Sequence, residues 1–132
     1  MSPKTEELLE RTFLFGVDTL HFLSKLPNNK IYSIIIYQLA KASTSSGANY
    51  EEAQAAESKK DFEHKIGVTL KEIRESNYWY RVLDKVLPDA VSNCELKRLL
   101  NESLELKKIF TTIKFNIRKE RVHPPYSIYR AP

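Results

Sequence analysis

The chain has 132 residues, 42% hydrophobic and 29% charged, the size and balance of one globular domain. No stretch reaches the roughly 20 apolar residues of a membrane span, the polar start Met1-Ser2-Pro3-Lys4 cannot serve as a signal peptide, and the single Cys94 excludes an internal disulfide framework, so a cytoplasmic protein is expected. The net charge of +4 is unevenly placed: Lys114, Arg118, Lys119, Arg121 and Arg130, set against Glu120, carry all of it, and the rest of the chain balances to zero.

The prolines spare every long periodic stretch and, with the break at Glu57-Ser58, leave four segments divided near Pro27, Ser58 and Pro88. The first predicted helix runs from about residue 5 to 26. Leu9, Phe13, Gly16, Leu20 and Leu23 form its expected inward stripe, and Leu8, Phe15, Phe22 and Leu26 form a second apolar set beside it. The second helix, about 30 to 56, carries Ile35, Leu39, Ala42, Ser46, Asn49, Ala53 and Ala56. Its inward positions shrink past Leu39, which predicts close packing. Asn49 falls on the core register there, either fixing that register or bonding a neighbouring backbone.

The third helix, about 59 to 87, carries Phe62, Ile66, Thr69, Ile73, Ser76, Tyr80, Leu83 and Leu87. The fourth, about 93 to 122, carries Leu96, Leu99, Ser103, Leu106, Phe110, Ile113 and Ile117, and a tail follows from His123 to Pro132. Ser2-Pro3 and Ser58 read as helix caps, and Ser92 with Glu95 as a capping box. At about 1.5 Å per residue the four helices match in length, and connections of a few residues make neighbours antiparallel. The pattern predicts an all-α, up-down-up-down four-helix bundle over residues 1–122.

Tyr78, Trp79 and Tyr80 cover about 200° of a helix, so a single core cannot take all three. With Tyr80 inward, Tyr78 and Trp79 are left on the flanks. Together with Phe15 and Phe22 they form an expected surplus of apolar surface, and hence a self-association interface. Lysine and arginine stems lying over the rings are the alternative.

No catalytic chemistry is legible. His21, His64 and His123 fall on three separate segments without metal-ligand spacing, and there is no phosphate-binding loop or nucleophile elbow. Glu72 and Glu75 read as solvent-facing partners of Lys71 and Arg74. No metal, cofactor or small-molecule substrate is implied. The one charged feature is the strip Lys107, Lys114, Arg118 and Arg121, which shares a flank of the fourth helix and is widened by Lys108 and Lys119. With the aromatics of the tail, it points to RNA, DNA or a nucleic-acid enzyme as partner. Two alternatives stand beside that reading: a partner protein without nucleic acid, and cations that merely complement the helix dipole.

The run from Gln38 to Ala53, QLAKASTSSGANYEEA, resembles the signature of a four-helix-bundle family encoded by intervening sequences in bacterial 23S rRNA genes. The resemblance continues through Asp61-Phe62, Lys65-Ile66, Lys71-Glu72 and Glu75 ahead of Tyr78-Trp79, with fitting spacing up to about Arg121. Gln38, Gly47, Asn49, Glu52, Phe62 and Glu72 are the residues it picks out. It implies a homopentameric ring of bundles, ribosomal-protein-like in name and non-enzymatic. A related accessory protein of diversity-generating retroelements binds nucleic acid and a reverse transcriptase through a basic surface, and the resemblance extends that expectation to this chain.

Overall fold

Each α-helix begins at a polar side chain that takes up an amide the helix itself leaves unpaired. The Ser2 hydroxyl accepts from the Thr5 amide at 3.1 Å and Asn29 Oδ1 from Tyr32 at 3.0 Å. Ser58 accepts from Asp61 and Asn93 Oδ1 from Leu96, both at 3.0 Å. These caps open α1 (Pro3–Leu23), α2 (Lys30–Ala53), α3 (Lys59–Val86) and α4 (Cys94–Val122), with a 3-10 turn, Ala90–Ser92, ahead of α4. The structure, a computed structural model, describes residues 1–122; residues 123–132 and the side chains at 121 and 122 lie outside the described residues.

The first two helices stop short of the expected residues 26 and 56. The amides of Lys25 and Leu26 bond to carbonyls three residues back, as do those of Ala55 and Ala56, so each helix tightens into a 3-10 turn before its connection. At α4 the cap is Asn93 rather than Ser92. The Ser92 hydroxyl donates to the Asp89 carbonyl at 3.2 Å, and Glu95 pairs forward with Arg98 at 2.8 Å instead of reaching back.

α1 packs on α2, α2 on α3, α3 on α4, and α4 closes on α1. With short connections this is an all-α, antiparallel up-down-up-down bundle, and no strand occurs among the described residues. The expected stripes of α3 and α4 all point inward, from Phe62 to Leu87 and from Leu96 to Ile117. Each large apolar side chain buried there contributes about 1.5–3 kcal/mol. The α4–α1 seam is closed by charge: Arg11 makes a forked pair with Glu102 at 2.7 and 3.1 Å, and Arg98 reaches Asp18 at 3.0 Å.

α1 is turned relative to expectation. Thr5, Leu8, Thr12, Phe15, Thr19, Phe22 and Leu23 are buried, while Phe13 is 61% and Leu20 47% exposed. Phe15 and Phe22 therefore belong to the core, both rings about 6 Å from the Tyr80 ring, and do not lie on an outer interface. The physical reason lies in what faces each stripe. Gly16 and Gly47 let the backbones of α1 and α2 meet: a Cβ on Gly47 would stand 3.0 Å from the Thr12 carbonyl oxygen, and one on Gly16 3.3 Å from that of Ser43. At this distance the threonines of α1 fit inside, and the Phe13 stripe is turned out along the α1–α2 seam.

Asn49 departs from expectation in the same region. It is half-buried, with Nδ2 donating to the Ser45 carbonyl of its own helix at 2.8 Å, and Tyr50 takes the core position, its ring edge-on to Phe110 at 4.9 Å. A short amide satisfied by the preceding turn has no need of an interhelical partner.

Candidate nucleic-acid interface

On α4, Lys97, Leu100, Leu104, Lys107, Thr111, Lys114 and Arg118 step by threes and fours, so they share the flank beside the buried stripe. On α3, Gly67, Leu70, Arg74, Asn77, Arg81 and Asp84 do the same. Three approaches set these flanks side by side, two between the flanks themselves and one from α3 to the adjoining buried stripe of α4. Lys97 Nζ meets Asp84 Oδ1 at 2.5 Å, Asn77 Nδ2 donates to Ser103 Oγ at 3.0 Å, and Lys114 Nζ lies 3.8 Å from where a Cβ on Gly67 would be. Each step along α3 is matched by a step back along α4, a register that sets Arg74 opposite Lys107.

The α3–α4 seam thus carries Arg74, Arg81, Lys107, Lys114 and Arg118. Its acid Asp84 is engaged by Lys97, and Glu63 stands near its far end. Among the described residues, none of these five cations has a carboxylate within ion-pair distance, and neither do Lys108 and Lys119. Lys108 and Lys119 are exposed on the outer side of α4, around the equally exposed Phe115. Arg121 sits in the last turn of α4, but its side chain lies outside the described residues, as does the aromatic tail.

Sequence reasoning missed Arg74 and Arg81, because it followed charge along one helix. Their spacing from Gly67 on the flank of α3 was visible, but only the cross-helix register makes that flank continuous with α4. Tyr78 is 49% exposed, with its ring edge-on to that of Trp79 at 5.0 Å and the Arg81 guanidinium 5.7 Å from its centroid. Trp79 is half-buried, packed against the core.

The remaining signature residues have local explanations. Phe62 is core, Gln38 is half-buried, and Glu52 is paired across α2–α3 with Lys65 at 3.5 Å. Glu72 is held above the usual carboxylate range, chiefly because it is partly removed from water, with Glu75 adding to the effect. Cys94 is exposed and free, and no group of three or more metal-ligating side chains occurs among the described residues. No helix of the described residues is long and apolar enough to cross a membrane.

Opposite the basic seam lies an apolar one. Between α1 and α2 a groove of about 410 Å³ is lined by Leu9, Phe13, Gly16, Val17, Leu20, Thr44, Gly47 and Ala48, with Thr12 and Glu51. Exposed Ile34 and Tyr37 continue the apolar surface along α2.

The family model described as 23S rRNA-intervening sequence protein matches residues 4–112. It takes in Arg74, Arg81 and Lys107 and ends before Lys114. Among solved structures, a protein with unknown function from the S23 ribosomal protein family of Bacteroides thetaiotaomicron is similar, with a TM-score of 0.72 and 27% identity. That alignment covers 81% of this chain and 97% of the other. Comparison with curated proteins finds no match.

Proposed function

The chain belongs to the 23S rRNA-intervening sequence protein family, and from that premise we propose that it is a non-enzymatic scaffold that self-associates and binds nucleic acid along its α3–α4 seam. The observation that carries this reading is the alignment of Arg74, Lys107, Lys114 and Arg118 on one face, none with a carboxylate partner among the described residues. Unpaired cations in a row exchange their counterions for phosphates, so binding is sequence-tolerant and weakens as salt rises. Arginines add forked hydrogen bonds to phosphate oxygens, which lysines cannot make. The opposite, apolar seam supports self-association, with Phe13 and Leu20 in place of Phe15 and Phe22. The family resemblance supports a ring of five copies.

The seam is tested by changing Lys107, Lys114 and Arg118 together to alanine and measuring affinity for RNA and DNA at several salt concentrations. Affinity should drop for every sequence, and the slope of its logarithm against that of salt should flatten by about 2–3. A wild-type chain that binds neither RNA nor DNA at low salt overturns the reading. Co-purification of a stoichiometric protein partner, unaffected by nuclease and dependent on the same residues, would replace nucleic acid with a protein ligand.

A further inference from the structure

Asn77 is only 1% exposed, yet it bonds to a surface side chain on one side and to a buried one on the other. The Ser103 hydroxyl donates to the Leu100 carbonyl at 2.6 Å and accepts from Asn77 Nδ2 at 3.0 Å. Asn77 Oδ1 in turn accepts from Nε of the exposed Arg81 at 3.1 Å. A relay anchored in the backbone of α4 thus orients a guanidinium at the surface. Surface arginines ordinarily keep their rotamer freedom, and fixing one costs side-chain entropy. The fold meets that cost here with a buried amide, while both Nη groups stay without a hydrogen-bond or ion-pair partner among the described residues. The same guanidinium lies 5.7 Å from the centroid of the half-exposed Tyr78 ring, whose edge-on contact with Trp79 limits its motion.

A forked donor with its Nη pair free and an aromatic face one helical turn away match two adjacent parts of one nucleotide. The fork suits a phosphate, and the ring suits a base. Bases within a duplex are already stacked, so only an unpaired strand can offer one to Tyr78. We infer that Arg81 and Tyr78 form a single-strand subsite, with phosphate on the guanidinium and base on the tyrosine ring, beside the duplex-tolerant lysines of the seam. The inference rests on the nucleic-acid reading and adds strand selectivity to it.

The test uses the full chain with two probes, oligothymidylate and a blunt DNA duplex of equal length. Trp79 is the only tryptophan, and its ring touches that of Tyr78, so its emission should change on adding oligothymidylate and stay nearly constant with duplex. Tyr78→Ala should weaken oligothymidylate binding about 5- to 100-fold and leave duplex affinity unchanged, while Tyr78→Phe keeps the ring and should bind like wild type. If Tyr78→Ala leaves oligothymidylate affinity intact, or lowers both affinities alike, the subsite is overturned and the seam survives. A change in oligomeric mass on Tyr78→Ala also overturns it, placing Tyr78 between copies of the chain. Wild-type chain that binds neither probe at low salt removes the subsite and the nucleic-acid reading together.

Discussion

Tyr80 stands where α1 and α3 meet, its hydroxyl 2.6 Å from Thr19 Oγ1 and its ring between those of Phe15 and Phe22. Burial pushes its phenol well above the ordinary value of 10.0, and the Thr19 hydrogen bond only partly opposes that shift. In the unfolded chain the phenol loses its proton near pH ~10, while in the bundle it keeps it. Above that pH the unfolded state binds fewer protons, so Tyr80 leaves stability unchanged below about pH 10 and lowers it as pH rises further. The urea midpoint of the wild type should therefore fall more steeply between about pH 9 and about pH 11 than that of Tyr80→Phe. Equal slopes would mean that the phenol is not the group responsible. At neutral pH the same substitution should cost about 1 kcal/mol, because Thr19 loses its partner. Tyr80 was legible from its place in a periodic stripe. Asn49 and Tyr50 were not: adjacent residues lie 100° apart, and a small rotation of the helix decides which of them turns inward.

At the scale of helices, the contrast between Gly47 and Gly67 tells close packing from mere absence of a side chain. Both lie inside helices, where alanine is favoured by about 1 kcal/mol. A Cβ on Gly47 would meet the backbone of α1 at 3.0 Å, and backbone cannot swing aside. Gly47→Ala should therefore destabilise the bundle by about 1–2 kcal/mol despite the better propensity. At Gly67 the nearest atom is the end of a flexible lysine at 3.8 Å, so Gly67→Ala should stabilise by about 0.5–1 kcal/mol. Chemical denaturation of both variants checks the pair, and shifts of the same sign would refute the account of the α1–α2 approach. The glycines were visible in the sequence, and small residues in α2 announced tight packing. Which neighbour comes close was not visible, since periodicity describes one helix at a time.

Across the whole molecule, charge and apolar surface are sorted by seam. Beyond the Lys97–Asp84 pair, α3–α4 holds cations without a carboxylate partner among the described residues, α4–α1 holds paired ones, and α1–α2 holds exposed phenylalanine, leucine and tyrosine. Side chains such as Phe13 and Leu20 leave water only if another surface covers them. Replacing both by serine should reduce the mass seen by light scattering toward that of a single 15.4 kDa chain, with helical content preserved. A wild type that already runs as a single chain at high micromolar concentration would remove self-association from the proposal. Helix number, antiparallel order and the inward stripes of α3 and α4 were determined by the sequence alone, because three-four spacing, proline breaks and short connections act locally. The rotation of α1, the burial of Phe15 and Phe22, and the joining of Arg74 and Arg81 to the lysines of α4 were decided only by the tertiary structure. Each depends on which helix lies alongside and in what register, and those contacts form between residues far apart in the chain.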